Sequence, residues 1–271
     1  MGGFSADWLA LREPSDARAR SAAVTRALAD RFEALAGLHV VDLAAGTGAN
    51  VRYLDGFLRG ERRSRHWLLV DNDPGLLARA AVQLGPGESI QTRVMDLSAA
   101  FEPAAANLCS GQDLVTASAL LDLVSERWLT ALAGRCADAR SAVLFALTYN
   151  GGISCSPGEP EDAMVRDLVN RHQRVDKGFG PALGPDAAAY AARAFAALGY
   201  HVRQERSDWV LADDEPDLQH QLIEGWADAA AEIAPDETRR VNGWKTRRLE
   251  HVGAGRSRIV VGHDDLAAWL V

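Results

Sequence analysis

The sequence predicts an α/β fold with a doubly wound, parallel sheet. Short apolar segments alternate with segments whose apolar residues recur at helical spacing. This alternation implies parallel strands joined by right-handed crossovers, with helices on both faces of the sheet. A glycine-containing turn separates the first strand from the helix that follows it, and 48 % hydrophobic residues over 271 positions suffice for a full core.

The first half of the chain supplies most of the predicted sheet. An amphipathic helix is predicted over residues 15–35, with Ser15 as its N-cap. The first strand, residues 37–43, leads through the turn AAGTG into a helix over about 49–58. The next predicted elements are a strand over 66–71, a helix opened by Asp73-Pro74, strands over 92–96 and 113–117, a helix from Ser125 to about Asp138, and a strand over 141–149.

The composition changes after Tyr149, because residues 150–160 are rich in glycine, serine and proline. The later predicted elements are helices over 161–171 and 186–198, a strand over 201–211, two helices over 216–252 broken at Pro235, and a strand over 257–262. We therefore expect a single domain, 1–271, whose parts are a cap helix (1–36), a core (37–149, 186–211 and 256–271), a lid insertion (150–185) and a helical insertion (212–255).

Charge and composition exclude several classes of partner. The formal net charge of −8 argues against a phosphate-tracking surface, and no apolar run is long enough for a membrane span. The start of the chain lacks the basic segment of a secretory signal. The three cysteines have no CxxC spacing, which fits free thiols in a reducing cytosol and no metal site. We expect a cytoplasmic protein with no nucleic-acid or membrane partner.

The segment VVDLAAGTG, residues 40–48, carries the functional argument. A strand that runs through a glycine turn into a helix forms a nucleotide cradle, because glycine admits the ligand and the helix offers free N–H groups. Asp71 ends the next strand about 20 residues later, a spacing that suits an acid binding ribose hydroxyls. A dinucleotide fold would place a third glycine where Val51 stands. Asp42 would repel a pyrophosphate and suits a ligand with an ammonium and a sulfonium, so an NAD(P)-dependent oxidoreductase is the disfavoured alternative.

At these residues the chain resembles the class I S-adenosylmethionine-dependent methyltransferases, over about residues 37–150. The similar segments are DLAAGTG (first motif), LLVDNDPGLL (second), VMDL (third), DLVTASALLDLV (fourth) and SAVLFALTY (fifth strand). The resemblance implies a seven-stranded, Rossmann-like methyltransferase fold with helical insertions and S-adenosyl-L-methionine as cofactor. Ala44 stands where glycine is commoner, a replacement that we expect to be mild.

The resemblance also assigns cofactor contacts. It implies that Asp71 binds the ribose and that Asp96 takes the adenine amino group, with Leu97 beside the ring. Arg20 lies on the apolar face of its predicted helix and should point inward, toward the carboxylate of the methionine moiety or an acidic substrate. A salt bridge to a neighbouring acid is its alternative role. The predicted cofactor-binding residues are Arg20, Asp42, Ala44, Gly46, Thr47, Gly48, Asp71, Asn72, Asp96, Leu97 and Ser118.

The binding site for the methyl acceptor is predicted at the carboxyl ends of the fourth and fifth strands, where open α/β sheets bind ligands. His172, in a polar lid, is the candidate base; Asp122 and Tyr149 are further catalytic candidates. The alternative interpretation of the polar lid is a solvated loop. The alternative role of Asp122 is to begin the helix that follows it. The predicted substrate-binding residues are Asn150, Arg174, Lys177 and Phe179.

These residues predict methyl transfer to a small acceptor, polar or anionic, by in-line displacement. A non-catalytic S-adenosylmethionine-binding protein is a second alternative, because an intact cradle establishes binding rather than turnover. The apolar stripe of the helical insertion leaves a homodimer open as well.

Overall fold

The computed structural model describes residues 5–58, 64–84, 89–99 and 107–271. Its strands are β1 (Gly37–Leu43), β2 (Ser64–Asp71), β3 (Ser89–Val94), β4 (Leu114–Ser118), β5 (Ala142–Ser156), β6 (His201–Arg206), β7 (Trp209–Leu211) and β8 (Arg258–Trp269). In the described ranges they form one sheet of order β3-β2-β1-β4-β5-β8-β6, and the short β7 pairs with β8 off this path. The pairs among β1 to β5 are parallel, whereas β8 is antiparallel to β5, β6 and β7.

Helices cover both faces of this sheet, as the doubly wound prediction requires. They are α1 (Ala6–Ala19), α2 (Ala22–Ala29), α3 (Ala49–Leu58), α4 (Pro74–Leu84), α5 (Glu126–Ala139), α6 (Asp162–His172), α7 (Ala187–Ala197), α8 (Pro216–Ile233) and α9 (Thr238–Gly253). None of the helices in the described part of the chain combines the length and the apolar character needed to cross a membrane.

Alternation along β1 divides the core into two layers. Leu38 and Val40 point into a cluster with α2, α3 and α4, while Val41 and Leu43 point into a cluster with α5 and α7. A third cluster joins the far half of β5 and β8 to α6, α8 and α9. Because β1 pairs in parallel with both β2 and β4, the carboxyl ends of these three strands meet at one edge of the sheet.

The predicted single helix over 15–35 is wrong, because serine caps divide this segment. The side chain of Ser5 caps α1 and that of Ser21 caps α2. Ser15 lies inside α1, where its hydroxyl donates to Glu215. Residues 1–4 of the predicted cap lie outside the described residues.

Two strands are longer than predicted. β5 continues to Ser156, so the segment 150–156 is strand and the predicted lid begins inside it. The glycines and serines of this segment obscure its apolar alternation, but the segment pairs with β8. β8 itself extends past the predicted 257–262 to Trp269. The register shifts twice along this pairing, between Phe145 and Thr148 and between Tyr149 and Ile153.

Two other strands have different bounds from those predicted. The single strand over 201–211 is two strands, β6 and β7, interrupted at Ser207 and Asp208. The N–H of Ser207 donates to the carbonyl of His263, and Asp208 accepts from the N–H of His263. These contacts turn the chain between the two strands. The strand predicted over 92–96 lies at 89–94.

Candidate functional site

The glycine turn after β1 uses left-handed backbone at several positions. Ala44 has φ +53°, Gly46 has φ +52° and Gly48 has φ +78°. Left-handed backbone costs a residue with a Cβ roughly 1–2 kcal/mol, which explains why glycine is commoner at the position of Ala44. The replacement is therefore more strained than expected. A Cβ on Gly46 would lie 3.1 Å from Cδ1 of Leu9, so α1 packs directly on the turn.

Asp71, at the end of β2, holds this turn in place. Its Oδ2 accepts from the N–H of Gly46 at 2.8 Å, and its Oδ1 accepts from the N–H of Asp73 at 2.9 Å. A carboxylate has about four acceptor positions, so further positions remain for the hydroxyls of a ligand.

A buried hydrogen-bonded chain lies beside the turn. Arg20 Nη1 donates to Asn50 Oδ1 at 2.6 Å, and Asn50 Nδ2 donates to Asp42 Oδ1 at 2.6 Å. Asn50 Nδ2 also lies 3.1 Å from Oγ1 of Thr116, on β4. All four side chains are buried. The amide of Asn50 joins an arginine and an aspartate, which are groups of opposite charge.

Both ends of this chain carry polar atoms that lack hydrogen-bond partners among the described residues. These atoms are Oδ2 of Asp42 and Nε and Nη2 of Arg20. Burial raises the pKa of the Asp42 carboxyl to about 7, and burial lowers the pKa of the Arg20 guanidinium. Such atoms are costly unless a ligand pairs with them.

The inward direction predicted for Arg20 is observed. Its guanidinium lies 4.1 Å from the ring centre of Tyr53. Its Nε lies 4.0 Å from Oδ2 of Asp265, so the salt bridge to an acid that was the alternative role of Arg20 is present as well. Asp265 accepts the N–H groups of Ser21 and Leu147 at 2.9 and 2.8 Å, so this acid is held mainly by backbone donors.

α1 closes over the turn through charged contacts as well. Arg52 of α3 donates to the carbonyl of Thr47 and to Oε1 of Glu13, each at 2.6 Å. An arginine of α3 thus joins the turn to α1.

The predicted adenine side lies after β3. Asp96 is exposed and accepts from the N–H of Ser98 at 2.8 Å, a bond that lowers the pKa of the Asp96 carboxyl. Leu97 is buried, and its carbonyl accepts from Nε1 of Trp128 at 2.6 Å. Phe179 meets Trp128 edge-on, with ring centres 5.6 Å apart, so this part of the predicted lid packs on the core. Asn72 is exposed.

The predicted acceptor side brings Asp122 and Tyr149 together. Ser118 ends β4, Ala119 has φ +52°, and Asp122 lies in the 3-10 turn that follows. Burial raises the pKa of the Asp122 carboxyl to about 6, and nearby backbone N–H groups, that of Tyr149 among them, offset part of this rise. The hydroxyl of Tyr149 donates to Oδ1 of Asn170 at 2.7 Å, and burial raises the pKa of this tyrosine.

The other predicted acceptor residues form contacts elsewhere. His172 Nε2 lies 3.3 Å from Oε2 of Glu232, and Lys177 Nζ lies 3.3 Å from Nδ1 of His172. Burial, with the nearby charge of Lys177, lowers the pKa of His172. Arg174 is exposed and pairs with Asp186 at 2.8 Å.

Asn150 contacts β8 instead. Its Nδ2 lies 3.2 Å from Oδ2 of Asp264. Within the described part of the chain, no contact joins His172, Arg174, Lys177 or Asn150 to Asp122.

Sequence reasoning missed Asn50, Thr116 and Asp265. Each is an ordinary polar residue in a helix or strand, and its partners are distant in sequence. The one local signal is that Asn50 stands in the first turn of α3, close behind the glycine turn.

Comparison with known proteins identifies the fold. No protein-family model matches the chain, and no curated protein matches it. The cyclopropane synthase MmaA2 from Mycobacterium tuberculosis matches with a TM-score of 0.51 at 10% identity, over 98% of this chain and 94% of its own. The sheet order and this likeness establish a Rossmann-like α/β fold, so the predicted fold class is confirmed.

Two further structures give lower TM-scores. The YcgJ protein from Bacillus subtilis matches with a TM-score of 0.49 at 14% identity, over 93% of this chain and 100% of that one. A SAM-dependent methyltransferase from Thiobacillus denitrificans, in complex with S-adenosyl-L-homocysteine, matches with a TM-score of 0.47 at 13% identity, over 100% of both chains.

Proposed function

We propose that this chain is an S-adenosylmethionine-dependent methyltransferase that acts on a small polar acceptor. The observation that carries the proposal is the buried chain Arg20–Asn50–Asp42 beside the glycine turn. An α-amino acid group presents a carboxylate and an ammonium, which complement the unpartnered atoms at its two ends. A pyrophosphate would instead meet the carboxylate of Asp42.

The residues present fit this cofactor. Arg20 would hold the carboxylate of its methionine moiety and Asp42 the ammonium, each through a buried atom that has no hydrogen-bond partner in the described ranges. Asp71 would accept the ribose hydroxyls while still bonded to Gly46. The proposed cofactor-binding set also keeps Ala44, Thr47, Gly48, Asn72, Asp96, Leu97 and Ser118.

The chain's contribution to catalysis is orientation and the exclusion of water. S-adenosylmethionine, when bound, supplies an electrophilic methyl group on a sulfonium. Leu9 packs on Gly46 and covers the turn, while Asn50 fixes the relative positions of the two charged groups. Orientation of this kind is worth up to about 7–11 kcal/mol in favourable cases.

Asp122 and Tyr149 support an acceptor position just after the end of β4, beside the middle of β5. With a pKa of about 6, the Asp122 carboxyl is mostly ionised at neutral pH and suits a base. The expectation of an anionic acceptor depended on Arg174 and Lys177, which contact Asp186 and His172. We therefore propose a polar acceptor without requiring it to be anionic.

Calorimetric titration tests the cofactor assignment. We expect S-adenosylmethionine and S-adenosylhomocysteine to bind, NAD not to bind, and Asp71→Ala to abolish binding. Asp138→Ala, which removes an exposed acid of α5, is the matched control and should bind normally. Binding of NAD alone would favour the oxidoreductase alternative. Cofactor binding without transfer to any acceptor in a broad screen would favour the non-catalytic alternative.

A further inference from the structure

Asp122 is a buried acid whose charge has no partner of its own. The residue is 7% exposed, and its Oδ1 has no hydrogen-bond partner among the described residues. The groups that favour its ionised form are two nearby backbone N–H groups, its own and that of Tyr149, and the charge of Arg12. Across the described ranges, no cation forms an ion pair with it.

The cation whose charge reaches Asp122 is neutralised elsewhere. Arg12 of α1 donates to both carboxylate oxygens of Asp16, at 2.9 and 3.0 Å. Its guanidinium also lies 4.9 Å from the ring centre of Trp209, whose Nε1 donates to the same Asp16 at 3.0 Å. Arg12 thus pairs with Asp16 rather than with Asp122, whose carboxylate it stabilises only through its longer-range charge.

Tyr149, whose backbone N–H lies near the Asp122 carboxyl, belongs to a row of aromatic rings. The ring of Tyr149 lies 6.2 Å from that of His263, which lies 5.2 Å from that of Trp209. His263 is buried with an unpartnered Nδ1, and burial lowers its pKa to about 3, so its ring is neutral near pH 7. An acid beside neutral aromatic rings suits a cationic group, through charge pairing and through the ring faces.

We propose that the methyl acceptor is an amine, which binds as an ammonium to the carboxylate of Asp122 beside the ring of Tyr149. This inference rests on the proposed function, because it assigns the acceptor class of the same site. The hydroxyl of Tyr149 is held by Asn170, which fixes the position of its ring.

The step balances without a further reactant. The ammonium gives one proton to the carboxylate of Asp122, which leaves a neutral amine. The nitrogen lone pair forms the new bond to the methyl carbon as the carbon–sulfur bond breaks, and that electron pair stays on sulfur. The products are a methylated ammonium and a thioether, and Asp122 returns its proton to solvent when the product leaves.

The test uses probes of one shape and three charges on the full chain saturated with S-adenosylhomocysteine. The probes are benzylamine, benzyl alcohol and benzoate, with butylamine, butanol and butyrate as a second frame. We expect at least one amine to bind with a Kd that is at least ~10-fold lower than those of its alcohol and carboxylate. Asp122→Asn should weaken the amine at least ~10-fold, while Asp167→Asn, an exposed acid of α6, should not.

Four results would overturn the proposal: tighter or equal binding of the carboxylate, equal binding of the alcohol, no binding by either amine, or unchanged amine binding in Asp122→Asn. The comparison of charges in the unaltered chain stands even if that variant does not fold. Failure to saturate with S-adenosylhomocysteine would instead count against the proposed function, so the two failures are distinguishable.

Discussion

Oδ1 of Asn50 accepts a hydrogen bond from Nη1 of Arg20 at 2.6 Å, and this contact joins the α1–α2 junction to the first turn of α3. The same amide donates to Asp42, so one neutral side chain sets the distance between two opposite charges. Arg20 and Asp42 each keep side-chain atoms that have no hydrogen-bond partner among the described residues. The proposed cofactor contacts follow from these atoms.

Asn50→Leu should weaken the binding of S-adenosylhomocysteine by about 10- to 100-fold, because a buried hydrogen bond to a charged group is worth about 1.5–3 kcal/mol. Without the amide, neither Arg20 nor Asp42 is held in place. Calorimetric titration measures the change, and Asn242→Leu, at an exposed position of α9, is the control. An unaltered affinity in Asn50→Leu would remove Asn50 from this role.

Cofactor binding should release protons near neutral pH. The ligand-free Asp42, which faces Asn50, Arg20 and Asp71, has a pKa raised by burial to about 7, and an ammonium beside it would favour the ionised form. The release should therefore grow as pH falls from about 8 to 6. Titrations of S-adenosylhomocysteine in buffers of different ionisation enthalpy measure it, and Asp42→Asn should abolish it. Equal release by that variant contradicts the assignment.

The same raised pKa predicts how the stability of the ligand-free protein depends on pH. The folded protein holds the Asp42 proton up to about pH 7, whereas the unfolded chain loses it near pH 4. This group therefore removes stability as pH rises between these values. Asp42→Asn should gain stability relative to the parent by about 1–3 kcal/mol more at pH 8 than at pH 4, measured by urea unfolding. A constant difference would contradict the shift.

Ala44→Gly should stabilise the fold by about 0.5–1 kcal/mol, because φ is +53° at this position and glycine adopts it without steric cost. Ala78→Gly, in an exposed position of α4, is the control and should destabilise by about 1 kcal/mol. Thermal and urea unfolding measure both changes. A loss of stability in Ala44→Gly would show that the turn is unstrained.

Arg248→Met should destabilise the fold by about 1–3 kcal/mol, since it breaks an ion pair in which Arg248 is buried and Asp162 is partly exposed. Arg248 is fully buried, donates to Asp162 and bonds to the carbonyl of Pro157 at 2.5 Å. Its neighbour Arg247 pairs with Glu159 and Glu161 at the surface, so Arg247→Met should lose far less. Similar losses by urea unfolding would contradict this distinction.

The sheet was predictable because its signals are local. β1, β2, β4 and the start of β5 each contain a short apolar run, and the glycine turn follows β1 directly. The helix break near Arg20 was missed because Ser21 caps α2 within an uninterrupted helical pattern. The second half of β5 was missed because its composition does not indicate a strand. This segment is a strand because it pairs with β8, which lies about 100 residues further along the chain.

The candidate site was predictable only in part for the same reason. Asp42 and Asp71 stand at strand ends and Gly46 in the turn between β1 and α3, where sequence spacing alone suggests a cradle. The positioning role of Asn50 depends on Arg20 and Thr116, which are brought to it by the fold.

The most direct test compares S-adenosylhomocysteine with 5′-methylthioadenosine, which keeps the nucleoside and thioether but lacks the amino acid group. We predict that Arg20→Met and Asp42→Asn weaken S-adenosylhomocysteine at least ~10-fold and leave 5′-methylthioadenosine unchanged within about twofold. That result would locate the amino acid group between Arg20 and Asp42. Equal losses for both ligands, or no loss for either, would contradict the account.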